Sequence, residues 1–166
     1  MTEEIYRRWT APFRSHPAAA VALRGLNKAL TLLCYVGYPL LLGLVFFRWP
    51  LGLFLRAILV PGISFAAVSV FRAKLSAPRP YEVLNIDPLI HKDTRGKSFP
   101  SRHVFSVFVI AATWLYFYPA AGIGFLIAGV LLAIVRVLGG VHFPRDVLAG
   151  AFLGLLSGWI GMWLIP

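Results

Sequence analysis

The stretch from His103 to Val135, HVFSVFVIAATWLYFYPAAGIGFLIAGVLLAIV, contains no Asp, Glu, Lys or Arg. At about 1.5 Å per residue it would form a helix near 50 Å long, whereas a bilayer core is about 30 Å thick. Tyr118-Pro119 therefore divides it into two membrane spans, because the residue before a proline leaves the helical region. Working outward, a further span runs from about Val147 to Ile165, with Gly150, Gly154, Gly158 and Gly161 spaced to let neighbouring helices approach closely. On the N-terminal side, one span runs from about Ala29 to Phe47, between Lys28 and Arg48-Trp49. Another runs from about Leu51 to Phe71, with Arg56 near its start and a kink expected at Pro61-Gly62. The pattern predicts an all-α polytopic membrane helical bundle with about five transmembrane helices.

Composition agrees. The 166 residues are 59% hydrophobic and only 13% charged, with a mean hydropathy of +0.79, outside the range of a water-soluble domain. Sixteen Lys or Arg against six Asp or Glu give a formal charge of +10, which points to anionic partners. Nucleic acid is set aside because the apolar residues form long blocks rather than one face of short helices. Cys34, the single cysteine, reads as a small buried hydrophobe and leaves the redox compartment unread. Residues 1–17 carry Arg7, Arg8 and Arg14 without an apolar signal-peptide core, so insertion is expected to use the spans themselves.

The chain reads as one membrane domain over residues 1–166, with residues 28–166 as the bundle core. Residues 1–27 mix Ile5, Trp9, Phe13, Val21 and Leu23 with arginines. They predict an interfacial amphipathic helix interrupted near Pro12 and Pro17. The alternative is a tilted membrane segment starting at Ala18.

Two polar islands remain, Arg72 to Ser101 and Leu138 to Asp146. With five crossings both emerge on the same side of the membrane, where their residues can meet. They bring together Arg72, Arg79, Arg102 and Arg136 with His103, His142 and Asp146, a set suited to a phosphate. Arginine stays charged at any working pH, and its planar fork binds phosphoryl oxygens two at a time. Arg136 ends a long apolar helix, which implies burial facing a cavity. Lys92, Arg95 and Lys97 read more simply as headgroup anchors, and His16 and His91 as surface residues.

His142 and Asp146 are four apart, so the carboxylate can accept from one ring nitrogen and leave the other as a nucleophile. A structural hydrogen bond or half a metal site would fit that spacing equally well. A divalent metal is disfavoured beside so many arginines, and no cofactor is expected. Gly139-Gly140 permits close approach of backbone to substrate. Ser101 is placed to cap the third span and donate to phosphate, and His103 follows at a helix N-terminus that favours an anion.

Together these residues resemble the signature of the type 2 phosphatidic acid phosphatase family, integral membrane lipid phosphatases related in fold to vanadium haloperoxidases. Arg72, six residues and Arg79-Pro80 match its Lys-x6-Arg-Pro motif. Pro100-Ser101-Arg102-His103 matches Pro-Ser-Gly-His, and Val135-Arg136, five residues, His142, three residues and Asp146 match Ser-Arg-x5-His-x3-Asp. The likeness covers roughly Leu51 to Ile165. It implies that His142 attacks phosphorus, Asp146 orients it, and His103 protonates the leaving oxygen and later activates water. Arg72, Arg79, Arg136 and Ser101 would hold the phosphoryl oxygens, without metal, with a bell-shaped pH profile between about pH 5 and 8.

Three positions depart from the motif. Arg72 replaces lysine, Arg102 replaces glycine and offers a contact to a second phosphate, and Val135 replaces serine. Bacterial members usually have six crossings, so one N-terminal span is expected to be missing or reduced to the interfacial helix. All basic residues but Arg48 and Arg56 fall on the side of the N-terminal arm and the islands. Positive-inside bias puts that side in the cytoplasm, while the resemblance implies the extracytoplasmic side. The substrate reading is a lipid phosphate or diphosphate, with undecaprenyl diphosphate first and phosphatidylglycerophosphate or phosphatidic acid next. A non-catalytic lipid-binding or scramblase-like protein is the reading of another class, opposed by the presence of His103, His142 and Asp146. The apolar spans disfavour a soluble haloperoxidase.

Overall fold

In the computed structural model, which describes residues 1–164, seven α-helices follow one another: α1 Glu3–Ser15, α2 Pro17–Arg48, α3 Leu51–Leu75, α4 Pro80–Val83, α5 Arg102–Phe117, α6 Pro119–Leu138 and α7 Pro144–Trp159. The last continues as a π-helical turn, Ile160–Leu164. Ile165, the expected end of the last span, lies outside the described residues. Four helical segments, beginning at Pro17, Leu51, Pro119 and Pro144, are long and apolar enough to cross a bilayer. The fifth crossing, α5, has 16 residues and occupies the centre.

α5 is apolar on every side, so it is stable only where every side is covered. Val104, Phe105 and every residue from Val107 to Trp114 are buried, chiefly under α6 and α7. The surrounding helices turn large apolar side chains outward instead, among them Val36 and Leu40 on α2, Ile63 on α3, Ile127 on α6 and Phe152 on α7. Such a continuous apolar surface is what a lipid-facing bundle requires.

The glycines of α7 work as their spacing predicts. A Cβ at Gly150 would lie 2.6 Å from the carbonyl oxygen of Ser101, and one at Gly154 2.6 Å from that of Phe105. The two backbones therefore meet directly, which seats the start of α5 against the start of α7.

Pro61 does not interrupt α3, although its ring removes a helical N–H. The carbonyl four residues earlier belongs to Ala57, and the hydroxyl of Tyr38 donates to it at 3.1 Å, tying α2 to α3. Arg56 turns to the protein interior, its guanidinium 3.5 Å from the carbonyl of Met162. On the membrane face away from the polar loops, Trp49 packs edge-on against Phe117 and Tyr118, an interfacial aromatic cluster.

The N-terminal region departs from expectation. The break falls at His16, not at both prolines: α1 runs through Pro12, and Pro17 sits in the first turn of α2. A proline in a first helical turn loses no intrahelical bond. Residues 18–27 thus extend the first span, whose 32 residues exceed the length a bilayer core needs. α1 is also more than a surface helix. Tyr6 and Thr10 are fully buried, while Ile5 and Trp9 face outward. Arg14 pairs with Asp87 at 3.1 Å, Asn85 donates its N–H to Glu3, and Leu89 donates its N–H to the Tyr6 hydroxyl. The helix is therefore strapped to the 84–91 loop.

Candidate active site

α3 and α6 end, and α5 and α7 begin, on the side where both polar islands lie. The backbone joins the islands directly. Ser101 donates its N–H to the carbonyl of Asp146 at 2.8 Å, and Ile90 donates to that of Gly139 at 3.1 Å.

The carboxylate of Asp146 is fully buried at the first turn of α7. Its Oδ2 accepts the Phe143 N–H at 2.9 Å and the Ser98 hydroxyl at 2.5 Å. His142 Nδ1 stands 3.6 Å from the same oxygen, within ion-pair range and beyond hydrogen-bond length. Ser98 Oγ is 3.4 Å from that nitrogen. The direct hydrogen bond expected from His142 to Asp146 is thus replaced by a longer approach with Ser98 interposed. The ring turns Nδ1 to Ser98 and Asp146, which leaves Nε2 as the nitrogen directed away from them. Burial holds the imidazolium well below the usual histidine range, with Arg136 and Arg79 adding to the effect and Asp146 opposing it. His142 is accordingly neutral near pH 7.

The arginines divide their donors. Arg72, buried in the last turn of α3, donates to the carbonyls of Lys97 and Pro100 and so shapes the loop leading into Ser101. Arg79 donates through Nε to Gly96 at 3.0 Å and through Nη1 to Val141 at 3.1 Å, next to His142. Arg136 is 1% exposed and gives only Nη1, to Asn27 at 3.3 Å. Its Nε and Nη2 are buried without a protein partner among the described residues, as is Ser101 Oγ. Ser101 occupies the N-cap position of α5 without making the side-chain cap bond. Buried donors left free beside a neutral histidine are arranged for an anion.

His103 follows in the first turn of α5, with Arg136, Lys92 and Arg102 as its charged neighbours and His142 nearby. Arg102 is exposed, adopts helical rather than left-handed backbone, and lays its guanidinium 5.3 Å from the ring centre of Phe65. Both line a cavity of about 400 Å³ between α2, α3, α5 and α6. Beyond those two side chains its wall is mostly apolar, including Tyr38, Pro61, Val109 and Leu132. Cys34 also lines it and is only half-buried.

Gly140 has a use other than close approach of substrate. It adopts φ +74°, and a Cβ there would lie 2.7 Å from the Tyr6 hydroxyl, so α1 presses on the turn two residues before His142. Sequence reasoning missed Tyr6, Ser98 and the carboxylate of Glu82, which accepts the N–H groups of Arg79 and Gly96. It also placed Lys92 among the outer anchors, whereas Lys92 is half-buried with Arg136, Arg79, Arg102 and Arg72 as charged neighbours. For Ser98 and Glu82 only a hydroxyl or carboxylate close to a motif marked the position in the sequence, too common a signal to single it out, and Tyr6 and Lys92 adjoin no motif.

A helical membrane bundle with a cluster of arginines around a buried histidine and carboxylate is the arrangement expected of a membrane phosphatase. The chain belongs to the PAP2 superfamily, whose family model matches residues 51–166. It is 31% identical over 138 residues to the bacitracin transport permease protein BcrC of Bacillus licheniformis, across 80% of this chain and 68% of that protein. It is 33% identical over 66 residues to a lipid A 1-phosphatase of Rhizobium etli, across 40% of this chain and 27% of that one. Among solved structures, Aquifex aeolicus LpxE aligns with a TM-score of 0.74 at 26% identity, covering 96% of this chain and 93% of that one. A PAP2-type phosphatidylglycerolphosphate phosphatase from Bacillus subtilis aligns at 0.61 with the same identity, covering 95% and 90%. The protein is a multi-pass membrane phosphatase of the lipid phosphatase family.

Proposed function

We propose that this phosphatase transfers the terminal phosphoryl group of a lipid phosphate or diphosphate to His142 and then to water, with undecaprenyl diphosphate as the first substrate to test. The observation that carries the reading is the free pair of buried Arg136 donors and the free Ser101 hydroxyl beside a neutral His142. The Nε2 lone pair forms a bond to phosphorus as the bond to the leaving oxygen breaks. Arg136, Arg79 and Ser101 stabilise the charge on the phosphoryl oxygens, with Arg72 holding the loop that positions Ser101. Asp146, through Ser98 and its own charge, orients and stabilises the imidazolium that develops.

His103 donates its proton to the leaving oxygen, which departs toward the apolar cavity with the lipid. It then takes a proton from the water that attacks the phosphohistidine, releasing phosphate and neutral His142. Arg102, at the cavity mouth, is placed against the leaving group. The likeness to a phosphatidylglycerolphosphate phosphatase favours that lipid as the second reading. Phosphate release by detergent-purified protein from undecaprenyl diphosphate, phosphatidylglycerophosphate and phosphatidic acid tests both. The absence of release from all three would remove the proposal.

A further inference from the structure

Arg136 enters the site from the last turn of α6, and among the described residues no carboxylate forms an ion pair with it. The only hydrogen bond its side chain makes there runs from Nη1 to Oδ1 of Asn27 at 3.3 Å, and Nε and Nη2 stay buried without a partner. The choice of nitrogen matters. A guanidinium is planar, and Nε and Nη2 share one edge of it, a fork that matches two oxygens of a phosphoryl group. Nη1 lies off that edge, so a bond there fixes the plane and uses no donor of the fork. The acceptor is also an uncharged amide. A carboxylate in its place would pair with the guanidinium and offset the charge that an anion meets. The amide satisfies a buried N–H and leaves that charge whole.

Asn27 is held by its own helix. It is half-buried on α2, one turn before Thr31, whose hydroxyl donates to the Asn27 carbonyl at 2.7 Å. Thr31, Cys34 and Tyr38 line the cavity, so the α2 face that walls it carries Asn27 toward its polar end. Asn27 also precedes residues 51–166, the part of the chain that the family model matches.

Resting on the reading above, we propose that Asn27 is a positioning residue for phosphoryl transfer, holding the Arg136 guanidinium with its Nε–Nη2 edge toward the phosphoryl oxygens and without neutralising it. Asn27 acts through Arg136 and does not itself touch the substrate.

The test measures phosphate release by the full-length protein in detergent, from whichever of the three lipids above it turns over fastest, together with inhibition by orthovanadate, a phosphoryl mimic, and thermal unfolding. Asn27→Ala removes the acceptor, whereas Asn27→Asp keeps it at nearly the same size and pairs its charge with Arg136. Each should lower kcat/KM about tenfold or more and raise the orthovanadate Ki by a similar factor, the scale of one charge-assisted contact. Asn27→Asp should do so with an unfolding temperature no lower than that of the unsubstituted protein, because its ion pair ties α2 to α6 at least as firmly. A residue that served only as this tie would be replaced well by aspartate. Turnover and inhibition of Asn27→Asp within about twofold of the unsubstituted protein would therefore overturn the proposal and leave the phosphatase reading intact. A loss of activity in Asn27→Asp that comes with a clear loss of stability would do the same. If Asn27→Ala does not fold, Asn27→Asp decides alone. Undiminished turnover in a folded Arg136→Met protein would instead remove Arg136 from the phosphoryl site, and the role of Asn27 with it.

Discussion

Ser98 stands between Asp146 and His142: its Oγ donates to Oδ2 of Asp146 at 2.5 Å and lies 3.4 Å from Nδ1 of His142. The acid and the imidazole are themselves 3.6 Å apart. Ser98→Ala should therefore loosen the orientation of the imidazole without touching the substrate. The expected result is a kcat about tenfold lower with KM little changed, read from steady-state phosphate release. A KM effect alone would place Ser98 in binding.

His142→Ala should abolish turnover, with a loss of at least about a thousandfold, because the remaining groups have no nucleophile to assist. The unsubstituted protein, quenched during turnover of a labelled substrate, should carry an acid-labile, alkali-stable phosphoryl group that the variant lacks. Undiminished turnover in a folded His142→Ala protein would exclude the phosphohistidine.

The pH profile carries a sign. Burial keeps the folded-state pKa of His142 below its ordinary value, so the neutral nucleophile persists until the pH falls through that lowered pKa. The acid limb of kcat/KM should lie below the ordinary histidine range near 6.5, displaced from the centre of the bell expected from two unperturbed histidines. Asp146→Asn removes the one charge that opposes the shift and should move the limb lower still, while also reducing kcat. A limb moving upward in that variant contradicts the assignment.

Gly154→Ala places a methyl group 2.6 Å from the Phe105 carbonyl and 2.9 Å from Phe108 Cβ. Overpacking of this kind costs about 1–3 kcal/mol. It should lower the unfolding temperature in detergent and, by shifting α7 against α5, reduce activity. Gly124→Ala, with nothing within 4 Å of the added Cβ, is the control and should be neutral or slightly stabilising.

Tyr6→Ala removes the acceptor for the Leu89 N–H and the ring that presses on Gly140. A large-to-small change at a fully buried aromatic costs about 3–5 kcal/mol. Tyr6→Phe keeps the ring and loses only the hydroxyl, costing about 1 kcal/mol. If α1 holds the catalytic turn, thermal stability and kcat should fall together, in the order Tyr6→Phe then Tyr6→Ala.

Much of this protein could be read from its residues in order. Long charge-free runs have no stable place except a bilayer, and the backbone within a bilayer must bond to itself, so a helical bundle follows from His103–Val135 and its neighbours. The family likewise follows from the spacing of Arg72, Arg79, Ser101, His103, Arg136, His142 and Asp146. The extent of the first helix was not legible in this way. Continuation of α2 back to Pro17 turns on a proline tolerated in a first turn, where hydropathy alone shows a weak, mixed segment.

What only the tertiary structure decided is which donors remain free. Arg72 and Arg79 look alike with Arg136 in the motif, yet the first two give guanidinium N–H groups to four carbonyls, while Arg136 keeps Nε and Nη2 unbonded. Ser98 meets Asp146 across 48 residues and Tyr6 meets Leu89 across 83. Motif spacing records which groups a chain owns. Hydrogen-bond saturation depends on neighbours that only folding brings within about 3 Å, and among the described residues it sets Arg136, with two buried donors open to an anion, apart from Arg72 and Arg79, which also hold the loops of this site.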